Sequence, residues 1–352
     1  MNTKINIEEF SISKIVEAIE TSQLVYGNEE DKIRANAPVT SREYLQNKHI
    51  DNPVKNSLVI QLVQKEQIRG HIFLVRRCFV FDSQQFPILV ASDLVSKADF
   101  PGASLIIFRK ALQQSKANNF ALLNFSNKDS DKIYTQILKI KPVVELDFQL
   151  WYLSIDSLFR ILIKPFKLQT NIAPIFVSDN EKVVHKNVKI QFVPRFDESI
   201  DPFFEKLEKE EIYFGKRSSK ILNWRFNPSN EILYNRVKIL KEGSIAGYLV
   251  VCERTFIGIR ILLIVDSIIC NLSTFEIHRI KREIMKSSPG VVACFCVSNL
   301  LHKNRALGKY KGLTIPRRFL PERVKFYLSN GDETLHNNFK KSHLTLFDTD
   351  IL

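Results

Sequence analysis

A short turn, Asp99-Phe100-Pro101-Gly102-Ala103-Ser104, joins an apolar run at 88–95 to a segment carrying Leu105, Phe108 and Leu112 on one face. A glycine-containing turn that feeds a helix N-terminus can hold a phosphate, because free backbone N–H groups and the helix dipole point at the anion. Carboxylates punctuate the apolar runs: Asp93 near the end of 88–95, Asp266 inside 259–269, and Glu66 in the joint 65–67. Each is a candidate general base or the partner of a nearby Arg or Lys. His71 lies within the run 68–81, and Arg225 follows Trp224 just before a turn at Pro228. Arg225 either binds an anionic group of a substrate or braces that turn. No Walker loop, nucleophile–base–acid signature or His-Glu-x-x-His spacing occurs, and no metal is expected.

These groups need a frame. The runs 88–95 and 120–126 read as strands with a helix crossing between them, which predicts adjacent parallel strands in one sheet. A further helix then carries Ser130, Ile133 and Tyr134. Upstream, 7–27 has a helical apolar pattern (Phe10, Ile15, Ile19, Leu24), 40–47 reads as a second helix, and 57–64 with 68–81 reads as a hairpin. The apolar, aromatic stretch 140–153 reads as the closing strand pair of a first domain. A second set follows: a hairpin over 237–252, a strand at 259–269, a basic helix at 274–286, a strand at 291–297, a helix at 300–310 and a last strand at 324–328. Landmarks recur in one order: Gly70 and Gly247 (247 − 70 = 177), Asp93 and Asp266 (266 − 93 = 173), Asn127 and Asn299 (299 − 127 = 172). Near-constant offsets predict a duplicated domain, with boundaries at 1–155 and 156–352. The expected class is mixed α/β, two tandem domains, each a mostly antiparallel sheet flanked by helices.

Asn127, Ser130, Ile133 and Tyr134 resemble the Asn-x-x-Ala-x-x-Leu-Tyr helix of the GCN5-related N-acetyltransferase (GNAT) superfamily. The resemblance implies an acyl-CoA donor, with acetyl-CoA as the first expectation. Leu94 and Val95 would pair with the pantetheine arm through free backbone groups, and Gly102, Ala103 and Ser104 would meet the pyrophosphate. Asn127 and Ser130 would face the donor, and Tyr134 would protonate the leaving thiolate. Asp93 is the candidate base, while Arg225 and Asp266 are candidate acceptor-binding residues. The turn keeps Gly102 alone, with Pro101 at the family's basic position and Ser104 and Ile106 at its glycine positions. In the second half 269–276 contains no glycine, and Ala306 stands where the tyrosine would be, so that half is expected to bind no donor. Asn223-Trp224-Arg225-Phe226, Pro228, Tyr234, Gly247-Tyr248 and the ending 326–332 resemble a branch associated with polysaccharide biosynthesis, which implies a sugar or polysaccharide precursor as acceptor.

Composition bounds the rest. The chain has 352 residues, 45% of them hydrophobic, enough for two cores. No apolar stretch reaches 18 residues and the first residues are polar, so a cytoplasmic protein without a transmembrane segment is expected. Five cysteines, most in apolar runs, read as reduced core residues. The net charge of +13 favours anionic partners. Basic clusters at 279–286, 303–311, 317–318 and 323–325, interleaved with Tyr310 and Phe319, admit nucleic acid as a partner. The expected function is therefore acyl transfer, the alternatives being a degenerate GNAT-like binding or scaffold protein and a basic nucleic-acid-binding protein.

Overall fold

The computed structural model describes residues 3–26, 42–97, 99–126, 131–153, 181–210, 213–227, 233–256, 259–288, 290–299, 313–314 and 324–348. The strands are β1 (Thr3–Glu9), β2 (Leu58–Gln64), β3 (Gln67–Phe81), β4 (Gln84–Ser96), β5 (Ala121–Ser126), β6 (Val144–Glu145), β7 (Asp147–Leu153), β8 (Glu181–His185), β9 (Val188–Val193), β10 (Phe214–Gly215), β11 (Tyr234–Lys241), β12 (Ser244–Phe256), β13 (Ile259–Ile269), β14 (Ala293–Ser298), β15 (Leu313–Thr314) and β16 (Lys325–Ser329). The helices are α1 (Ile15–Tyr26), α2 (Arg42–Leu45, continued by a π-turn over Gln46–Ile50), α3 (Ala103–Ala117), α4 (Asp201–Lys209), α5 (Ser219–Arg225), α6 (Thr274–Lys286) and α7 (Glu333–Lys341).

The chain forms two mixed α/β units, each built on its own sheet. Unit 1 comprises Met1–Val144, Tyr213–Glu231 and Lys325–Lys341; unit 2 comprises Glu145–Ile212, Ile232–Val324 and Ser342–Leu352. The boundaries therefore differ from a single cut near residue 155. The first sheet runs β1-β2-β3-β4-β5-β16-β6, with β10 on β3, and the second runs β15-β7-β14-β13-β12-β11-β9-β8. The stretch 140–153 does not close the first unit's sheet as a pair. β7 lies against β14 in the second, while β16 returns late in the chain to pair with β5. Both exchanged strands are short and apolar, and each fills the same vacancy, the outer edge of a parallel strand. The first element also differs from expectation: 3–9 is a strand pairing with β2, Thr3 opposite Gln64, and the helix begins only at Ile15.

Alternation along β2–β5 buries both faces of the first sheet. One face packs Ile60, Leu62, Ile72, Leu74, Leu89 and Leu122 under α3. The other packs Val59 and Phe73 under Phe10, Ile15, Ala18, Tyr44 and Leu45 of the α1–α2 side. In unit 2, Ile277, Ile280, Ile284 and Met285 of α6 cover the equivalent face, and Ser273 with Glu276 closes a capping box at that helix's start. The expected helix at 300–310 lies outside the described residues, as do the basic residues at 303–312 and 317–323. All five cysteines are free thiols, four of them buried. Among the described residues no helix is long and apolar enough to cross a membrane.

The expected parallel pair is present, and it is duplicated. In unit 1 Ile88 pairs with Ala121 through to Val90 with Leu123; in unit 2 Ile261 pairs with Ala293 through to Ile264 with Cys296. The offsets, 261 − 88 = 173 and 293 − 121 = 172, equal those of the aspartates and asparagines in sequence. The glycines agree too. Gly70 lies opposite Ser96, three residues beyond Asp93, and Gly247 lies opposite Ile269, three beyond Asp266. A Cβ on Gly70 would stand 2.5 Å from the Val95 carbonyl oxygen, and one on Gly247 would stand 2.5 Å from that of Ile268. Each glycine is required because a bulge presses the neighbouring strand against it.

Candidate functional site

The bulge explains the site. Between His71–Val95 and Phe73–Ser92 the register of β3 on β4 slips by a residue, and Asp93 takes a left-handed φ of 48°, a conformation that Asp tolerates better than most residues. Past Val90–Leu123, β5 continues against β16, and among the described residues no backbone hydrogen bond joins 91–96 of β4 to 124–126 of β5. The result is a fork with an unpaired strand edge at Leu94 and Val95. At its mouth the Ser96 and Ser104 hydroxyls meet at 2.5 Å, tying the end of β4 to the first turn of α3. Gly102 precedes that turn at φ 86°, with open space where a side chain would be. The Ala103 N–H bonds the Phe100 carbonyl, while those of Ser104 and Leu105 precede the first i−4 acceptor of the helix. Arg69 donates to the Asp99 carboxylate at 2.8 Å, so an acid of the turn and its neighbouring cation are joined.

On the α1–α2 face the Asp93 carboxylate accepts from Lys48 Nζ at 2.9 Å and lies 3.1 Å from His49 Nε2. Lys48 also donates to the Tyr44 hydroxyl at 2.7 Å, and His49 Nδ1 meets the Ser57 hydroxyl at 3.0 Å. The linear Ser57–His49–Asp93 chain has the order of a hydrolytic triad. Yet Ser57 is fully buried and His49 is stacked on Phe73 at 4.0 Å, so these bonds hold the bulge and present no nucleophile. Burial alone would raise the Asp93 pKa, but the Lys48 ammonium and the His49 hydrogen bond outweigh it and hold the carboxyl far below the usual range. A carboxylate so held is a weak proton acceptor at neutral pH.

His71 shares this face. It is 1% exposed, and neither ring nitrogen has a hydrogen-bond partner. Burial pushes its pKa down to about 4, against an upward pull from Asp93, with His49 adding to the depression. The imidazole is therefore neutral, with one donor and one acceptor unused. Ser92, buried beside Phe73's ladder position, also keeps an unpartnered hydroxyl.

On the α3 face Tyr134 stacks on Tyr327 with ring centroids 4.6 Å apart and meets Phe108 edge-on at 5.3 Å. Burial, with Tyr327 contributing, raises its pKa, so the phenol keeps its proton. Asp131 accepts from Lys325 at 3.0 Å and from the Tyr327 hydroxyl. Asn124 lies opposite Tyr327 in the β5–β16 ladder and so points to the same face. It is 0% exposed, and neither amide atom has a partner. Asp93 and Tyr134 thus flank the fork from opposite faces of one sheet. Asn127 and Ser130 lie outside the described residues.

Arg225 and Asp266 are not brought together with this group as one set. Arg225, expected in the second half, ends α5 in unit 1 and is buried there. The adjoining Trp224 donates to the Asn47 carbonyl at 2.5 Å and carries the Arg77 guanidinium over its ring at 4.8 Å. Asp266 lies in unit 2, fully buried, and accepts from the Tyr248 hydroxyl at 2.5 Å and from Thr345 at 2.8 Å. There the segment 342–348 occupies the fork. It bonds the β14 side through Ser298–Thr345 and through Asn299 with Ser342 and Leu344, and the β13 side through Thr345–Asp266 and His343–Ser267. Tyr248 stands at the position of His71 (248 − 71 = 177). It spends its hydroxyl on the aspartate, whereas in unit 1 Lys48 and His49 have taken that place.

Lys48, His49 and Asn124 were not singled out from the sequence. The first two sit in a polar stretch with no periodic signal. Asn124 did leave one, a polar residue on the inward phase of an apolar strand. The basic helix α6 is partly committed to structure: Lys281 is buried over the Trp151 ring at 4.8 Å, and Lys286 pairs with Glu283 at 2.7 Å.

No family model matches the chain. No curated protein matches its sequence. Solved structures do resemble it. A GCN5-related N-acetyltransferase from Anabaena variabilis superposes with a TM-score of 0.57 at 11% identity, over 92% of this chain and 72% of that one. A probable N-acyltransferase from Enterococcus faecalis gives 0.57 at 13% identity, with the same coverage of 92% and 72%. The Saccharomyces cerevisiae N-myristoyltransferase with bound myristoyl-CoA gives 0.50 at 9% identity, over 94% and 83%. The chain has the fold of the GCN5-related N-acetyltransferases, as the Asn127–Tyr134 resemblance implied.

Proposed function

We propose that this protein transfers an acyl group from a coenzyme A thioester to an amine or hydroxyl, in the fork of unit 1. The observation that carries this reading is the contrast between the two forks. Among the described residues, that of unit 1 leaves the β4 edge at Leu94 and Val95 without a pairing partner on the β5 side, whereas that of unit 2 is bridged by 342–348. The chain's likeness in fold to a GCN5-related N-acetyltransferase and a probable N-acyltransferase supports the class.

The donor's extended arm would pair with the backbone at Leu94 and Val95, and the turn at Gly102, Ala103 and Ser104 would face its phosphates, with the Ser104 N–H donating while that of Ala103 stays on the Phe100 carbonyl. Asn127 and Ser130 complete the motif on the donor side. The nucleophile, entering from the α1–α2 face, would donate a hydrogen bond to neutral His71 and attack the thioester carbonyl. The new N–C or O–C bond forms as the C–S bond breaks. The thiolate takes the Tyr134 proton, and the proton that the nucleophile gives up to solvent is matched by one that solvent returns to the Tyr134 phenolate. Orientation supplies much of the gain in such transfers. Asp93, with Lys48 and His49, fixes the bulge that opens the fork. Arg225 would shape acceptor recognition in unit 1, whereas Asp266, expected from the sequence to do so too, is bonded to Tyr248 and Thr345 inside unit 2. The motif around Trp224 favours a sugar or polysaccharide precursor as that acceptor.

Calorimetry with acetyl-CoA and myristoyl-CoA, paired with release of free thiol in the presence of amino-sugar and hydroxyl acceptors, tests this. One donor per chain and acceptor-dependent thiol release are expected. A ligand at 100 times its Kd adds about 2.7 kcal/mol to stability, so thermal shift reports the same binding. Two donors per chain, or none, would overturn the assignment to unit 1; binding without transfer would leave the binding-protein reading.

A further inference from the structure

The fork treats the two ends of a coenzyme A thioester unequally. At the nucleotide end, the turn before α3 offers Pro101, which has no N–H, Ala103, whose N–H is already on the Phe100 carbonyl, and Asp99, which occupies the Arg69 guanidinium. At the other end, Asn124 stands one residue past the last parallel pair, its amide wholly buried and wholly unsatisfied. Leaving a buried donor or acceptor unpaired is costly, and Asn carries both kinds. Two trans amides in series are the complementary group: the C=O of one accepts from Nδ2 while the N–H of the other donates to Oδ1. The pantetheine arm has two such amides in series. At the equivalent position of the filled fork the residue is Cys296 (296 − 124 = 172), buried in an apolar core.

We propose that the protein recognises its donor by the acylated pantetheine arm rather than by the nucleotide, and that Asn124 pairs with the amides of that arm. This rests on the acyl-transfer reading. The arm has two natural sources, free coenzyme A and the phosphopantetheine of a carrier protein, and the chemistry at Asn124 is the same for both.

The test uses the full chain and three ligands measured by calorimetry: coenzyme A, pantetheine and adenosine 3′,5′-bisphosphate. Pantetheine is expected to bind within about tenfold of coenzyme A, and the bisphosphate at least about 100-fold more weakly. Asn124→Leu should weaken coenzyme A and pantetheine alike by about 10- to 100-fold. Asn124→Asp, which keeps the shape and loses the NH2 donor, should do the same, so the result survives if one variant folds poorly. Thioester turnover with acetyl-CoA, acetyl-pantetheine and an acetylated carrier protein separates the sources, and activity with acetyl-pantetheine supports the proposal whichever macromolecular source ranks first. Pantetheine binding more than about 100-fold weaker than coenzyme A would overturn it. So would an Asn124→Leu chain that gains thermal stability yet binds coenzyme A as before, because Asn124 would then be only an unsatisfied core residue. Failure of the wild-type chain to bind coenzyme A and pantetheine alike would sink the acyl-transfer reading as well; failure of pantetheine alone sinks only this one.

Discussion

His71 offers a test that needs no ligand. Its imidazole is buried, unpartnered and shifted from the ordinary 6.5 to about 4. Between those values the unfolded chain binds a proton that the folded chain refuses. Stability from this group is therefore full above pH 6.5 and falls as the pH drops toward 4. The whole interval corresponds to roughly 3 kcal/mol, of which about 2 kcal/mol is lost by pH 5. The two tryptophans lie in different units, Trp224 in unit 1 and Trp151 in unit 2. In a Trp151→Phe background, fluorescence follows unit 1 alone. Urea unfolding at pH 7.5 and 5 should show unit 1 losing about 2 kcal/mol more in the wild-type chain than in His71→Leu. The carboxyl of Asp93 is also held low, so its contribution is lost only at still lower pH and leaves this comparison clean. If the two chains lose stability in parallel, His71 is charged or paired in the fold, and its proposed role as a free acceptor for the nucleophile falls with it.

Tyr134→Phe should lower turnover by about 10²- to 10⁴-fold with donor affinity kept, because the hydroxyl acts as the thiolate leaves; steady-state kinetics beside calorimetry separates the two. Gly102→Arg places a side chain at a φ of 86° and over the first turn of α3, so donor affinity should drop while the fold of unit 2 is unchanged. Gly70→Ala and Gly247→Ala each press a Cβ against a carbonyl oxygen and should each destabilise their own unit by about 1–3 kcal/mol or more in urea unfolding. Asp266→Leu removes the acceptor of the Tyr248 and Thr345 hydroxyls and should destabilise unit 2 by about 1–3 kcal/mol without changing donor affinity; a lost donor site would refute the assignment of the donor to unit 1.

The parallel pair and the repeat were legible because they rest on local patterns. Apolar runs set the strands, an intervening helix sets their direction, and Gly70 and Gly247 mark where a bulge presses backbone on backbone. What escaped depends on choices between distant partners. β7 and β16 are both short apolar strands, and nothing in their own residues says which sheet each completes. The stretch 7–27 reads as one helix because Phe10 and Ile15 fall at helical spacing with Ile19; the chain instead runs as a strand to Glu9, turns before Ile15, and uses Phe10 and Ile15 in one core. Arg225 was placed by order along the chain, and the chain's return to unit 1 over 213–231 moved it.

The same duplication shows how one fork can be kept and the other retired with few changes. In both units a bulge falls just past the last parallel pair and an aspartate stands at the break. In unit 2 the break is healed: Tyr248 and Thr345 satisfy the aspartate, and 342–348 bonds to both strand ends. In unit 1 the aspartate is satisfied from a different direction, by the π-turn residues Lys48 and His49. That substitution releases the position equivalent to Tyr248, and His71 there is left with nothing to bond. A buried imidazole and a buried amide without partners both cost stability, and a fold with no use for the fork could remove either cost by an apolar residue of similar size. Unit 2 shows such an exchange at Cys296, opposite in kind to Asn124. That three of the buried groups without partners, His71, Ser92 and Asn124, stand beside the open fork, on both of its faces, is the physical reason to look there for the ligand that completes them.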